Sequence, residues 1–374
     1  MLKLKICILA DTYLPYEGGT ETFLKEMIGQ MKKKVSIVSI TRGHPFAEPY
    51  EKDENLEIHR VYNFPLPRIH KYFVMSFVTY LKARKIITNC DIIYVHNISP
   101  CFAAHFLKKR FKIPYIQTLE TIPLFTLPTV AAIIHKIYLR ALNFDRLVVW
   151  SEKLREKLEE WGLTSIVIPG GINTDKFSPR ISGKKIKEKH GQSLIVTARP
   201  LYQSNAVGVS HLIKAMKNID AKLLILGDGK GRNWLEKLTE RLNLTNKITF
   251  LGAIEHDNVP KYYAAADVIV TPIIFDLGTR PSISLLEGMA MQKPNLLTKN
   301  FESGVINNKN ICLAKIGDPL DMSDKINILL ENKQKAKNIA KNCRKLVEKK
   351  YSMKIVCDKL IDLFESCLIG VPSN

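Results

Sequence analysis

The sequence of residues 4–31 is LKICILADTYLPYEGGTETFLKEMIGQM, and its pattern indicates the fold class of the chain. It begins with an apolar run of about six residues, which is typical of a buried parallel strand. A loop with a proline and a glycine pair follows at 11–19. Apolar side chains then recur at helical spacing as far as Met31, and Thr20 stands where an N-cap is expected. This order of strand, loop and helix predicts the start of a parallel βαβ unit.

The same alternation continues through the rest of the chain. Further strands are predicted at 35–40, 56–61, 92–95, 115–117, 146–149 and 166–168, and a second series at 193–198, 221–226, 247–251, 268–271 and 294–298. The fold is therefore expected to be α/β, with two doubly wound parallel sheets in domains 1–177 and 178–353. Residues 177–180 and the lysine-rich segment after them are interpreted as linker. A last amphipathic helix is predicted at 355–368.

Composition narrows the class of protein. The chain has 374 residues, 46% hydrophobic and 25% charged, which is ordinary for a globular protein of two domains. Its seven cysteines are scattered without a C-x-x-C pair, so neither a disulfide framework nor a zinc site is expected. The first apolar run is too short for the core of a signal peptide, and no apolar window approaches the roughly 20 residues of a spanning helix, so we expect neither and expect a cytoplasmic location. The net charge of +20 favours an anionic partner.

The loop between the first strand and helix is the first candidate site. Gly18 and Gly19 would let the backbone approach a ligand closely, and the helix N-terminus behind them favours negative charge. A phosphate or sugar contact is one interpretation, and a plain βα turn is the other. No G-x-G-x-x-G follows, so the dinucleotide-binding fingerprint is absent.

Arg199 is the second candidate, because it directly follows the first strand of the second series. Open α/β sheets bind ligands at the carboxyl ends of their strands. A guanidinium placed there can hold a diphosphate through two parallel hydrogen bonds. The alternative is an arginine that is merely solvated at the surface.

The third candidate is residues 276–290, DLGTRPSISLLEGMA, between a predicted strand and helix. Gly278, Arg280 and the helix N-terminus together make an anion site. Glu287, one turn into the helix, is then placed to accept hydrogen bonds from vicinal ribose hydroxyls. The competing interpretation is structural, since Ser284 and Glu287 have the spacing of a capping box.

Residues 60–112 carry ten Lys and Arg against one acid, Asp91, which is a local charge of +9. Aromatic and apolar side chains are interleaved with them. A basic amphipathic stretch of this kind can lie on an anionic membrane surface. A solvated helix face in a lysine-rich protein is the alternative.

His96 ends a predicted strand and could contact a ligand from there, although a satisfied local hydrogen bond is the commoner role of such a histidine. Neither H-x-x-H, G-x-S-x-G nor a P-loop occurs in the sequence. The sequence therefore offers no metal site and no nucleophile motif.

Taken in order, several segments resemble the family-4 retaining glycosyltransferases, over nearly the whole chain. The matching stretches are 11–21, 91–96, 151–158, 168–177, 197–216, 226–229, 251–252 and 278–294. The resemblance implies the GT-B arrangement, two Rossmann-like domains facing across a cleft, with the last helix (354–374) crossing back to the first domain. It also implies a nucleotide-sugar donor, held mainly by the second domain, and no obligatory metal or resident cofactor.

The resemblance also suggests roles for particular residues. Arg199 and Arg280 would bind the diphosphate of a UDP- or GDP-sugar, and Glu287 matches the family's ribose-binding glutamate. The family's other glutamate falls on Thr279, with Asp276 close by. Glu120 stands where the family has a histidine that faces the donor sugar. The family's usual lysine after the arginine is absent, and Asn205 or Val207 occupies that region.

The sequence thus predicts a metal-independent retaining glycosyltransferase that acts on a glycan or lipid-linked hydroxyl. Two alternative functions share this fold: a catalytically silent glycosyltransferase-like binding protein and a nucleotide-sugar epimerase. The charge of +20 also suggests nucleic-acid binding as an alternative function. The two-sheet plan lacks an aromatic-studded binding motif, so no nucleic-acid partner is expected.

Overall fold

The computed structural model describes residues 3–16, 18–62, 68–120, 129–191, 193–274, 281–298, 305 and 307–369. The chain forms two compact units, Met1–Gly171 with Met353–Asn374, and Ile172–Ser352. The boundary lies a few residues before the expected one at 177, because Ile172 and Phe177 are both buried in the core of the second unit.

The first unit alternates strands and helices from its N-terminus. The strands are β1 Lys5–Ala10, β2 Ser36–Arg42, β3 Tyr50–Asp53, β4 Leu56–Val61, β5 Ile92–His96, β6 Tyr115–Leu119, β7 Arg146–Val149 and β8 Ile166–Val167. The helices are α1 Gly19–Met31, α2 Arg68–Ala83, α3 Cys101–Phe111, α4 Thr129–Ala141 and α5 Glu152–Glu159. The central strands are buried apolar runs, as expected for a sheet covered by helices on both faces.

The sheet of the first unit has the order β3-β4-β2-β1-β5-β6-β7-β8. All pairs are parallel except β3, which pairs antiparallel with β4 at the edge. The sequence did not predict β3, because its four residues are all exposed and carry no apolar alternation. The direction of winding reverses between β1 and β5, and such a switch point opens a crevice at the carboxyl ends of the strands.

The second unit repeats the plan. Its strands are β9 Leu194–Ala198, β10 Lys222–Leu226, β11 Ile248–Gly252, β12 Val268–Thr271, β13 Asn295–Leu297 and β14 Cys312–Leu313. Its helices are α6 Lys184–His190, α7 Gln203–Ala215, α8 Arg232–Arg241, α9 Val259–Ala265, α10 Ile283–Ala290, α11 Pro319–Glu331 and α12 Lys333–Leu346. The sheet is parallel, in the order β11-β10-β9-β12-β13-β14, with its switch point between β9 and β12.

The segment expected to be linker is part of the second unit, so that interpretation was wrong. The Phe177 side chain is fully buried, and its ring lies 6.4 Å from that of Tyr263. The lysine-rich residues after it form α6, and Lys187 of that helix pairs with Asp267 at 2.9 Å. The high lysine content of this segment suggested a solvated linker. The few contacts that fix it to the second unit are made by residues distant in sequence, so composition does not reveal them.

The last helix, α13 Met353–Ile369, belongs to the first unit. Its apolar face, with Val356, Leu360 and Phe364, is buried against α1 and the sheet, and the Phe364 ring lies 5.4 Å from that of Tyr94. The predicted amphipathic helix and its return to the first domain are thereby confirmed.

All seven cysteines are free and buried. Within the described ranges, no group of three or more His, Cys, Asp or Glu side chains could hold a metal ion. The helices of those ranges include none that is long and apolar enough to cross a membrane.

Candidate functional site

In the second unit, the segments after four parallel strands meet at the carboxyl edge of the sheet. Arg199 follows β9, Gly227 follows β10, His256 lies in the loop after β11, and Glu287 lies on α10, which follows β12. Because parallel strands end on the same edge, side chains far apart in sequence converge there. Two of the candidate site residues of the second unit, Arg199 and Glu287, are among the described residues, and both lie at this edge.

Arg199 is half-buried and held by Asn205. Its Nε and Nη2 both donate to Asn205 Oδ1, at 3.2 and 2.6 Å. The third donor, Nη1, is buried and has no hydrogen-bond partner in the described part of the chain. Burial lowers the pKa of the Arg199 guanidinium. A buried cation with an unused N–H favours an anionic ligand, so Arg199 is not the solvated surface arginine of the alternative interpretation.

Two glycines fix the loop beneath Arg199. Gly227 has φ +131°, and a Cβ there would lie 2.0 Å from the carbonyl oxygen of Arg199. Gly229 has φ +152°, and a Cβ there would lie 2.7 Å from the carbonyl oxygen of Leu201. Only glycine combines these conformations with such close packing. The loop after β10 therefore holds the Arg199 backbone in place.

Glu287 is buried, and its Oε1 lies 2.6 Å from Nε2 of His256. The N-cap of α10 is Ser282, whose hydroxyl accepts from the N–H of Leu285 at 3.3 Å. Ser284 is thus inside the helix, and the capping-box interpretation of Ser284 and Glu287 was wrong. The Glu287 carboxylate takes part in side-chain contacts at the edge of the sheet rather than in capping its own helix.

Sequence reasoning missed two residues of this edge, His256 and Tyr263. Tyr263 is fully buried and close to both Arg199 and Glu287, and burial above all raises the pKa of its phenol. The only available signal was position, since His256 lies in the loop after a predicted strand. Asp276, Gly278, Thr279 and Arg280 lie outside the described residues, and their predicted roles stay predictions.

In the first unit, Glu120 follows β6 and is buried. Its Oε1 lies 2.6 Å from Nε2 of His96, at the end of β5, and its Oε2 accepts from Thr20 Oγ1 at 3.2 Å. The His96 ring also stacks on Phe23, with centroids 5.5 Å apart. The local hydrogen bond expected as the commoner role of His96 is thus present, and its partner is the Glu120 that sequence singled out separately.

The glycine pair begins α1. Gly18 is the N-cap, with an extended backbone and no side-chain cap, and Gly19 is the first helical residue. The expectation of a Thr20 cap was wrong, because Thr20 lies inside the helix and bonds Glu120 instead. The exposed N-terminus of α1 therefore lies beside Glu120, at the carboxyl edge of the first sheet.

The basic stretch 60–112 divides between surface and core. Arg60 is buried and donates to the Leu14 carbonyl at 2.9 Å, and Met75 is buried in the core, so neither contributes to a surface. Phe77 on α2 and Phe106 on α3 are instead 61% and 54% exposed. Among the residues whose side chains the structure describes, the exposed basic residues nearest them in sequence are Arg84, Lys85, Lys109, Arg110 and Lys112. We call Phe77, Phe106 and these basic residues, grouped by exposure and by position in the sequence, the basic face.

Comparisons with known proteins agree with this architecture. Residues 17–176 match the family described as Glycosyltransferase Family 4, and residues 182–346 match Glycosyl transferases group 1. A glycosyltransferase of Methanocaldococcus jannaschii is 26% identical, over 99% of this chain and 97% of its own.

Solved structures agree as well. Sucrose-phosphate synthase from Thermosynechococcus elongatus superposes with a TM-score of 0.82 at 18% identity, covering 99% of this chain and 100% of that one. The Anabaena protein HepE, solved with UDP and glucose, gives 0.79 at 16% identity, covering 97% of this chain and all of that one.

Two parallel-sheet α/β domains with these neighbours define the GT-B fold, and the two family matches define a glycosyltransferase of that fold. The chain belongs to the family-4, group 1 glycosyltransferases.

Proposed function

We propose that this protein is a retaining glycosyltransferase that moves a sugar from a nucleotide-sugar donor, a UDP- or GDP-sugar, to a hydroxyl acceptor. The observation that carries the proposal is Nη1 of Arg199 at the carboxyl edge of the second sheet, which is buried and has no hydrogen-bond partner among the described residues. A donor diphosphate supplies a negative charge and an acceptor for this Nη1. The solved HepE complex with UDP shows that a protein of this fold binds the corresponding nucleotide.

In this proposal, charge builds up on the leaving diphosphate as its bond to the sugar C1 breaks. Arg199 stabilises that charge from a site that is already oriented by Asn205 and the loop at Gly227. The acceptor oxygen bonds C1 on the same face, and its proton passes to the departing phosphate. No separate general base is then required, and Glu287 holds the ribose.

The role proposed for Glu120 is to contact the donor sugar. His96 and Thr20 already fix one carboxylate oxygen each. Such a carboxylate is preorganised, because its position is set before any ligand binds. Gly18 and Gly19, at the N-terminus of α1 beside it, complete the proposed sugar contact.

A ligand series tests the proposal. Calorimetric titration with UDP, UMP and uridine, and with the guanosine series, is expected to show affinity rising with each phosphate. The diphosphate should bind at least about tenfold more tightly than the nucleoside, because the nucleoside has no phosphate to bind Arg199. Equal affinities within both series, or no binding in either, would contradict a diphosphate site.

Treatment with EDTA is expected to leave turnover of the preferred donor largely unchanged. The proposed charge stabilisation comes from the Arg199 guanidinium, and the described residues contain no cluster with metal-ligand spacing. The measurement is nucleotide release before and after chelation, with Mg²⁺ or Mn²⁺ added back. A complete loss that either metal restores would contradict a metal-independent reaction.

We further propose that the basic face docks on an anionic membrane surface, at the cytoplasmic side, to reach a lipid-linked acceptor. Two exposed phenylalanines among basic side chains have the composition of an interfacial anchor. Ile133 and Ile137 on α4 are also exposed, and α4 packs on α3 through Tyr138 and Phe102, whose ring centroids lie 4.6 Å apart. Helices α2, α3 and α4 therefore each carry exposed apolar side chains, in addition to the basic residues of the basic face.

Vesicle binding is the corresponding prediction. The protein should sediment with phosphatidylglycerol vesicles and not with phosphatidylcholine vesicles, and about 0.5 M salt should release it, because each basic residue contributes roughly 1 kcal/mol that salt screens. Replacing Phe77 and Phe106 by serine should weaken binding. Phe46→Ser is the matched control, since Phe46 is 89% exposed but lies outside the basic face. Negligible sedimentation with both vesicles at low salt would contradict docking.

A further inference from the structure

The loop 173–177 enters the second unit directly after the domain boundary and ends beside the proposed donor site. Asn173 Oδ1 accepts from the backbone N–H groups of Asp175 and Lys176, both at 3.1 Å, which fixes the turn. This turn places the Lys176 ammonium 2.8 Å from Nδ1 of His256 and 2.5 Å from Oδ1 of Asp257. The loop and His256 are therefore joined directly.

The same loop is tied to the helix that carries Glu287. Arg344 on α12 donates to the carbonyl oxygens of Phe177 at 2.7 Å and Thr174 at 3.2 Å. It also donates to the carbonyl of Ala290, at the end of α10, at 2.6 Å. One guanidinium thus fixes the distance between the Lys176 loop and the Glu287 helix.

The chemistry of these contacts determines the proton on His256. A lysine ammonium has only N–H donors, so Nδ1 of His256 must be the acceptor of the bond from Lys176. The proton of a neutral imidazole is then on Nε2, which donates to Oε1 of Glu287 at 2.6 Å. The ring is held between Lys176 and the fully buried Phe177, whose centroid lies 5.3 Å from it.

We propose that Lys176 and His256 are positioning residues that orient the Glu287 carboxylate for the donor ribose. This inference rests on the proposed function, because it presumes a ribose at Glu287. His256 occupies one carboxylate oxygen through a charge-assisted hydrogen bond, which restricts rotation of the carboxylate. Lys176 keeps the imidazole in the one tautomer that donates to Glu287. Neither residue touches the ligand itself.

The test compares ribonucleotides with nucleotides that lack the ribose hydroxyls. UDP and GDP, each with its 2′,3′-dideoxy form, are titrated into wild type, His256→Ala, His256→Gln and Lys176→Met. With the ribonucleotide, His256→Ala should lose about tenfold in affinity, and Lys176→Met about threefold. With the dideoxy form, both losses of affinity should fall below about twofold. This ligand has no ribose hydroxyls for Glu287 to bind, so the orientation of the Glu287 carboxylate no longer matters.

Controls separate orientation from folding. His256→Gln keeps an N–H donor and should recover much of the affinity for the ribonucleotide. Lys261→Met is the matched lysine control, since Lys261 on α9 is exposed and bonds only Asn258 among the described contacts. Each variant's thermal midpoint is measured alongside.

The outcomes distinguish this inference from the proposed function. If the variants lose affinity equally for the ribo and dideoxy ligands, or for neither, the positioning role is overturned while nucleotide binding stands. If wild type binds neither UDP nor GDP, the proposed function is overturned, and this inference with it.

Discussion

Replacing Arg199 with alanine is expected to lower the rate of nucleotide-sugar turnover by about 100-fold or more, the usual effect of removing one charge-stabilising donor. Nη1 is buried and has no hydrogen-bond partner among the residues that the structure describes, so the proposed interaction with the diphosphate is made where little water reaches it. Arg199→Lys should give an intermediate rate, because lysine keeps the charge but cannot make two bonds to Asn205 while reaching the phosphate. Steady-state release of the nucleoside diphosphate measures both.

Arg241→Ala is the control for the Arg199 variants. Arg241 is an exposed arginine of the same unit, at the end of α8, and its Nε bonds only the Lys237 carbonyl among the described contacts. This variant should keep the wild-type rate. Rates for Arg199→Ala and Arg199→Lys that equal the wild-type rate would remove Arg199 from the site.

Glu287→Gln is expected to weaken nucleotide binding by about 10- to 100-fold, because a charged acceptor to the ribose is lost, worth about 1.5–3 kcal/mol. The glutamine side chain nearly preserves the shape of the buried site. Part of the loss comes from His256, whose bond to the carboxylate changes with it. Titration of the nucleoside diphosphate, with the free energy of unfolding measured in parallel, separates binding from stability.

Asp318→Ala is the control for Glu287. Asp318 caps α11, where its side chain accepts from the N–H groups of Leu320 and Asp321, so its loss should lower the free energy of unfolding by about 1 kcal/mol and leave the affinity near that of the wild type. If Glu287→Gln behaves in the same way, with reduced stability and unchanged affinity, Glu287 has a structural role only.

The plan of two doubly wound sheets could be predicted because the buried strands are short apolar runs separated by helical periodicity. β1 and β9 illustrate this, each being buried over most of its length. β3 escaped prediction because an exposed edge strand has no apolar pattern to detect. Phe177 was assigned to linker because its contacts with His256 and Tyr263 are distant in sequence and invisible to local patterns.

The candidate site was predictable only in part. Arg199 was identified because a residue that follows a parallel strand must lie at the ligand-binding edge. Glu287 was identified by its place after the glycine loop, but its bond to His256 depends on how two loops fold together. Likewise, Glu120 and His96 were each singled out, while their pairing follows from the neighbouring positions of β5 and β6 in the sheet. The sequence thus indicated which residues lie at the carboxyl edges of the sheets. Their hydrogen-bond partners depend on the tertiary fold.

Retaining sugar transfer is tested directly by an assay with UDP- and GDP-sugars and a mixture of glycan and lipid-linked hydroxyl acceptors. Nucleoside diphosphate release is followed by chromatography, and the anomeric configuration of the product by NMR. We expect release from at least one donor, with the product keeping the donor's anomeric configuration. A product of inverted configuration, or no release from any donor while the protein remains folded, would contradict retaining transfer.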